Sequence, residues 1–251
     1  MALAGEKIKA IILCAGYATR LYPLTKDRPK PLLEVAGKPI IEHILAKIEE
    51  LDSVDEIFIV TNNKFEKNFV EWKKTFSSKK KITIINDRTT TNEDRLGSLG
   101  DIKYVIRQAK VHDDLLVIAG DNLFEFSLKP MEQQFKKKRK AIVALYDVKN
   151  RELAKQYGIV TLDKNNKMIS FIEKPENPPS TLSSTGIYFY PKEVIPLLLE
   201  YGSHGENTDK AGNFLQDLHK QHDVYCYVTK QRWLDIGSHQ QLEEAQTTFK
   251  A

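Results

Sequence analysis

Apolar and polar positions change period along this chain. Ile8–Cys14 is an unbroken apolar run closed by Gly16, the pattern of a strand buried on both faces. After a long polar loop, Pro39 introduces Ile40, Ile41, Ile44, Leu45, Ile48 and Leu51 at helical spacing, with proline at the favoured first turn. Glu56–Thr61 predicts a second strand, Phe65–Phe76 a second helix and Ile82–Asn86 a third strand. Ser98–Ala109 predicts a third helix whose core face is Ile102, Val105, Ile106 and Ala109, and Leu115–Ile118 a fourth strand running into Gly120-Asp121-Asn122. Such alternation predicts a parallel sheet covered on both faces, with ligands bound at the carboxyl ends of the strands. Gly16 and Asp121 directly follow strands, so both fall on that edge.

The pattern changes in the second half. Ala141–Asp147, Gly158–Leu162 and Met168–Glu173 read as strands, the last two joined by the turn-rich segment 163–167. Pro175–Ser184, rich in Pro and Ser, predicts a loop, followed by a strand at Ile187–Tyr190. Helices at Lys192–Tyr201 and Ala211–Gln221, a strand at Val224–Thr229 and a closing helix from His239 complete the chain. No repeat or clean linker divides it. The expectation is one α/β domain over 1–251, a Rossmann-like, mixed and mostly parallel sheet with helices on both faces. Residues of about 8–140 form one half, about 141–237 a second half with a small β insertion, and 238–251 a terminal helix.

Composition narrows the function classes. Against 34 acidic residues stand 38 Lys and Arg, a net charge of +4 that is too weak to imply nucleic acid. No apolar stretch approaches the roughly 18 residues of a membrane helix. Met1–Lys9 lacks the apolar segment of a secretory signal, and Cys14 and Cys226 form no CxxC pair, which together fit a reducing cytoplasm. The basic run Lys136–Lys140 falls at a predicted helix end, where it complements the dipole and stays solvated. His219 and His222 share a helix, but no third ligand accompanies them, which argues against zinc.

The candidate chemistry lies in the loop after the first strand, Leu13-Cys14-Ala15-Gly16-Tyr17-Ala18-Thr19-Arg20, continuing to Arg28-Pro29-Lys30-Pro31. It is neither a Walker A loop nor a dinucleotide fingerprint, because the required glycines are missing. What remains is a small-residue turn able to bring backbone N–H groups to a phosphate, with Arg20 and Lys30 behind it. Pro29 and Pro31 stiffen the chain on both sides of Lys30.

Leu13 to Ile40 resembles, without a gap, the sugar-phosphate nucleotidyltransferase signature LxGGxGTRLxPLTxxxPKPLLxVxGKPxI. The similarity continues in family order through Gly120-Asp121-Asn122, Tyr157-Gly158-Ile159-Val160, Phe171-Ile172-Glu173-Lys174-Pro175, Ser184-Thr185-Gly186-Ile187-Tyr188 and Trp233-Leu234-Asp235-Ile236-Gly237. The resemblance implies a nucleotide-diphospho-sugar transferase fold. It also implies Mg²⁺-dependent transfer of a nucleotidyl group from a nucleoside triphosphate, dTTP or UTP favoured, to a sugar-1-phosphate with release of pyrophosphate.

On that pattern Arg20 holds the β- and γ-phosphates, Lys30 the α-phosphate, and Asp121 and Asp235 the Mg²⁺. Leu13, Ala15, Gly16, Thr19, Asn86 and Gly97 complete the nucleotide site, with Asn86 in the base-reading region. Lys174 meets the sugar phosphate and Glu173 the sugar hydroxyls; Gly158 and Gly186 leave room for the ring, and Asn122 reaches it. Ala18 stands where the family has Gly and tolerates φ > 0 poorly, which predicts an altered turn or a negative φ. The family also implies small-molecule partners only and a homodimer or homotetramer.

Three alternatives remain open. One is cytidylyl or guanylyl transfer to another acceptor such as mannose-1-phosphate or phosphocholine. A second is a nucleotide-sugar sensor without catalysis. The third, a glycosyltransferase, wants Asp-x-Asp where this chain has Asp121-Asn122-Leu123.

Overall fold

The computed structural model describes residues 7–203 and 205–249. The first half runs β1 (Ile8–Leu13), β2 (Glu34–Val35), β3 (Lys38–Pro39), α1 (Ile40–Glu49), β4 (Val54–Thr61), α2 (Glu66–Thr75), β5 (Lys81–Asn86), α3 (Gly97–Ala109), β6 (Asp114–Ala119), β7 (Asn122–Phe124) and α4 (Lys129–Lys138). The second runs β8 (Ala141–Asp147), α5 (Arg151–Ala154), β9 (Gly158–Leu162), β10 (Met168–Glu173), β11 (Leu182–Tyr190), α6 (Ile195–Glu200), α7 (Ala211–Gln221), β12 (Val224–Thr229), β13 (Trp233–Asp235) and α8 (His239–Thr248).

β5, β4, β1 and β6 are parallel neighbours, as their continuous apolar character requires. Ala10 and Ile12 pack with α1 on one face of the sheet, and Ile11 packs with α3 residues Ile102 and Val105 on the other. The strand thus feeds two cores, which fixes its register. β11 then lies antiparallel to β6 and makes the sheet mixed, with β8 and β12 parallel to each other beyond it. The β9–β10 hairpin adds to the same sheet through β11, so the small β insertion is an extension of the main sheet.

β11 corrects the sequence reading at its start. It begins at Leu182, inside the stretch expected to be loop, because Leu182–Ser184 pairs with Asp147–Leu145 of β8. Its pairing then breaks between Ser184 and Tyr188. There Gly186 adopts φ +75°, where a side chain would be strained. The helix expected over Lys192–Tyr201 is a 3₁₀ turn at Lys192–Val194 followed by α6. The basic run is also less solvated than expected. Arg139 grips the buried Asp114 at 2.6 Å, and Lys138 sits 4.1 Å over the Tyr225 ring. No helix among the described residues is long and apolar enough to cross a membrane.

β7 and β13, too short to be read from sequence, form a separate antiparallel pair in which Asp235 opposes Asn122. Ile236 N–H donates to the Asp121 carbonyl at 3.2 Å. This pairing closes the C-terminal segment over the carboxyl edge of β6.

Candidate active site

The loop after β1 holds its shape by local bonds. Leu21 N–H returns to the Ala18 carbonyl (3.0 Å), and Thr25 Oγ1 donates to the same oxygen (2.7 Å). Ala18 is left-handed at φ +49°, so of the two expectations, an altered turn or a negative φ, the negative φ fails. The two bonds on its carbonyl hold it in a conformation that alanine alone disfavours. A 3₁₀ turn at Thr19–Leu21 carries Arg20, and a second at Lys30–Leu32, entered from extended Pro29, carries Lys30.

Two cavities open on the carboxyl edge. The first, of about 370 Å³, is lined by the whole loop from Leu13 to Arg20, by Lys30, and by Gly97, Ser98 and Asp121. The second, of about 320 Å³, is lined by Asn122, Gly158, Glu173, Lys174, Gly186 and Asp235. Asp121 belongs to both walls.

The charged groups converge between the cavities. Lys30 Nζ donates to Asp121 Oδ2 at 2.6 Å and to the Ile236 carbonyl at 2.7 Å. Burial and the Asp121 charge push Asp235 up to about 6, while Lys30, Arg20 and Lys174 pull it down. Gly237 lies beside this group: a Cβ there would stand 3.5 Å from Asp235 Oδ2 and 3.9 Å from an Arg20 guanidinium nitrogen. Three cations and two carboxylates therefore share one region, joined from segments as far apart as Arg20 and Asp235. Among the described residues no cluster of three or more His, Cys, Asp or Glu side chains that could hold a metal ion occurs.

Several site residues act differently from expectation. Asn86 does not line the first cavity; its amide donates to Glu66 Oε2 (2.9 Å) and accepts from Arg88 N–H (2.8 Å). Its neighbour Asp87 does line it. Successive side chains at a strand end point to opposite faces, so an offset of one residue exchanges the two. Asn122 is held from both ends: Nδ2 donates to the Thr185 carbonyl (2.5 Å) and Oδ1 accepts from Trp233 Nε1 (3.1 Å). Its side chain braces the cavity wall, with one Nδ2 hydrogen and one Oδ1 lone pair not used by these two bonds.

The space at Gly158 is filled by protein, since a Cβ there would meet the Phe171 ring at 2.4 Å. Glu173 lines the second cavity but pairs with Lys210 at 3.0 Å. Cys14 is buried, and burial raises its thiol well above its usual range, so it packs beneath Gly120 and is not an available nucleophile.

Residues missed in the sequence also line the site. Asp209 accepts Ser98 N–H through its carbonyl (2.9 Å) and pairs with Arg95 at 3.3 Å, while Ser98 Oγ accepts from Ala211 N–H (2.7 Å). The N-termini of α3 and α7 are thereby stitched together where the cavities adjoin, both offering positive dipole ends. Asp101, one turn into α3, lines the first cavity. The only available signal was its place four residues after Gly97.

A family description, Nucleotidyl transferase, matches residues 9–251. The chain belongs to the nucleotidyl transferase family. This family member is 36% identical over 230 residues to the bifunctional protein GlmU of Methanocaldococcus jannaschii, covering 91% of this chain and 51% of that protein. It is 30% identical to a bifunctional sugar-1-phosphate nucleotidylyltransferase/acetyltransferase of Sulfurisphaera tokodaii, covering 92% of this chain and 52% of the other. The chain thus spans about half the length of these curated relatives. Its fold matches a UDP-glucose pyrophosphorylase solved with UDP-glucose at a TM-score of 0.80, with 22% identity, 96% of this chain and 97% of the other. The ordered motifs of the nucleotidyl transferase thus carried the family, and its sheet is the mixed sheet of that fold.

Proposed function

We propose that this nucleotidyl transferase moves a nucleotidyl group from a nucleoside triphosphate to a sugar-1-phosphate. A phosphate oxygen of the sugar-1-phosphate bonds to the α-phosphorus, the bond from that phosphorus to the bridging oxygen breaks, and pyrophosphate leaves. The observation that carries the reading is Asp121 on the wall common to two cavities, with Lys30 bound to it and Asp235 in its field. Two anionic substrates need a charge-neutralising group between them, and no side-chain nucleophile takes part.

In this reading the first cavity takes the triphosphate, with the loop at Gly16 and the cations Arg20 and Lys30 against its phosphates. The second takes the sugar phosphate, with Lys174 at its charge and Glu173 at its hydroxyls. Asp121 and Asp235 fit Mg²⁺: both offer hard oxygen, and Mg²⁺ commonly takes one or two carboxylates with substrate phosphates and several waters. When bound, the metal neutralises charge between the substrates. Lys30, bonded to Asp121 and the Ile236 carbonyl at the shared wall, would stand beside the α-phosphate.

The test is pyrophosphate release over a grid of nucleoside triphosphates and sugar-1-phosphates, with phosphocholine included and Mg²⁺ present or chelated. Turnover in one column only with Mg²⁺ supports the reading; no turnover by folded protein anywhere on the grid overturns it. Asp121→Asn should lower turnover about 10²–10³-fold, the scale of losing one electrostatic partner, with an unchanged melting point. Near-normal rates in that variant would remove the metal assignment.

A further inference from the structure

The loop after β1 is anchored on both sides of Gly16. Asn62, fully buried directly after β4, donates its Nδ2 to the Ala15 carbonyl at 2.8 Å and accepts Phe65 N–H on Oδ1 at 3.0 Å. The Phe65 N–H requires an oxygen, so the amide stands one way round and its nitrogen faces Ala15. Tyr17 OH donates to Thr89 Oγ1 at 3.3 Å, and its ring lies beside that of Phe65. Ala15 and Tyr17 are buried, whereas Gly16 between them is exposed, and a Cβ built on it would meet nothing. The Ala15–Gly16 peptide is trans. Such a peptide is planar, with its C=O and N–H pointing in opposite directions. The bond from Asn62 turns the Ala15 carbonyl toward β4, so the Gly16 N–H points away from β4, into the first cavity that Gly16 lines. Among the described residues no acceptor meets the N–H of Gly16, Tyr17 or Ala18.

We propose that Asn62 is a positioning residue for nucleotide binding, which aims the Gly16 N–H at a phosphate of the triphosphate through the Ala15–Gly16 peptide. The inference rests on the first cavity taking the triphosphate. Gly16 shares that cavity with Arg20 and Lys30, so its N–H joins two cations as a third donor to an anion. An untethered peptide at glycine turns over readily, and would then present the negative end of the Ala15 carbonyl to the phosphate. The bond from Asn62 fixes the favourable orientation before the ligand arrives, so little freedom is lost on binding. Asn62 itself touches no ligand in this arrangement. It lies 47 positions from Ala15, outside the loop signature. Its second bond, to Phe65 at the start of α2, is local to its own turn and separable from the first.

Asn62→Ser separates the two bonds, because a serine hydroxyl can still accept Phe65 N–H but is too short to reach the Ala15 carbonyl. The full chain is titrated with ATP, CTP, GTP, UTP and dTTP in the presence of Mg²⁺, by calorimetry and by NMR of nitrogen-labelled glycine, beside turnover with the same five. In the unaltered chain the Gly16 amide proton should move downfield with whichever nucleotide binds. Asn62→Ser and Asn62→Ala should each weaken that nucleotide about 10–100-fold, the scale of a hydrogen bond to a charged group, and diminish the Gly16 shift. KM for the sugar-1-phosphate should stay unchanged. A Gly16 amide that does not move in the unaltered chain overturns the proposal whether or not the variants fold. Unchanged nucleotide affinity in folded Asn62→Ser overturns it too, as does an equal rise in both KM values. Any of these three results, with turnover intact, leaves nucleotidyl transfer standing. The expected Gly16 shift and affinity loss without turnover would do the reverse. Binding of none of the five overturns both.

Discussion

Lys30 has two partners, the Asp121 carboxylate and the Ile236 carbonyl, and both lie on segments that also carry the candidate metal site. Lys174 has a different setting: exposed, at φ +47°, on the wall of the second cavity with Asp235. Lys174→Ala should therefore raise KM for the sugar phosphate about tenfold, the scale of a charged hydrogen bond, with little change in KM for the triphosphate. A change confined to the triphosphate would reverse the assignment of the two cavities.

Asp101 makes a pH prediction. Burial and the Asp87 charge raise its carboxyl from an ordinary 3.8 to about 8 in the fold, so between those values the native state holds a proton that the unfolded chain has released. Its contribution to stability is present at low pH and is lost as pH rises through that window. Melting curves at pH 5 and pH 9 should show a larger fall for the unaltered chain than for Asp101→Asn; parallel falls would mean that the Asp87–Asp101 proton is absent.

At the scale of elements, the turn into α3 shows how a backbone requirement builds a site. Gly97 has φ +76°, and a Cβ there would come within 2.5 Å of the Asp209 Cα. The close approach lets Ser98 N–H reach the Asp209 carbonyl and so joins the α3 start to the segment before α7. Gly97→Ala should cost about 1–3 kcal/mol from the backbone conformation alone, with the clash adding to it. Urea denaturation measures the loss, and an unchanged midpoint would show that the junction relaxes freely. The helix itself was legible from Ile102, Val105 and Ile106, because their spacing depends only on the local chain. The junction was not, because Asp209 lies 111 positions from Ser98.

For the whole molecule, Asn122 ties together three distant segments. Its amide joins β7 to Thr185 in β11 and to Trp233 in β13, partners 63 and 111 positions away. Removing it leaves the Thr185 carbonyl and the Trp233 N–H unpaired in a buried place. Asn122→Ala should therefore destabilise the fold by about 2–6 kcal/mol, at roughly 1–3 kcal/mol per orphaned group, and loosen Asp235 with it. A thermal melt checks the first part and the Mg²⁺ dependence of turnover the second. Full stability would mean that water or a neighbour replaces both bonds.

The sequence by itself determined the alternation of strands and helices, the two-sided burial of the parallel strands, and the phosphate-loop character of Leu13 to Lys30. Those properties follow from local periodicity and from residues close together along the chain. It also supplied Arg20, Lys30, Asp121 and Asp235 through their motifs, although nothing local said that they meet. The tertiary structure decided that meeting, through a three-residue β pairing too short to carry a period of its own. It also decided that Asp87 rather than Asn86 faces the cavity, because strand orientation shifts by half a period with each residue. Finally, it made an acid pair of Asp87 and Asp101, whose burial and proximity push Asp101 up to about 8, and neither is written in a single stretch of chain.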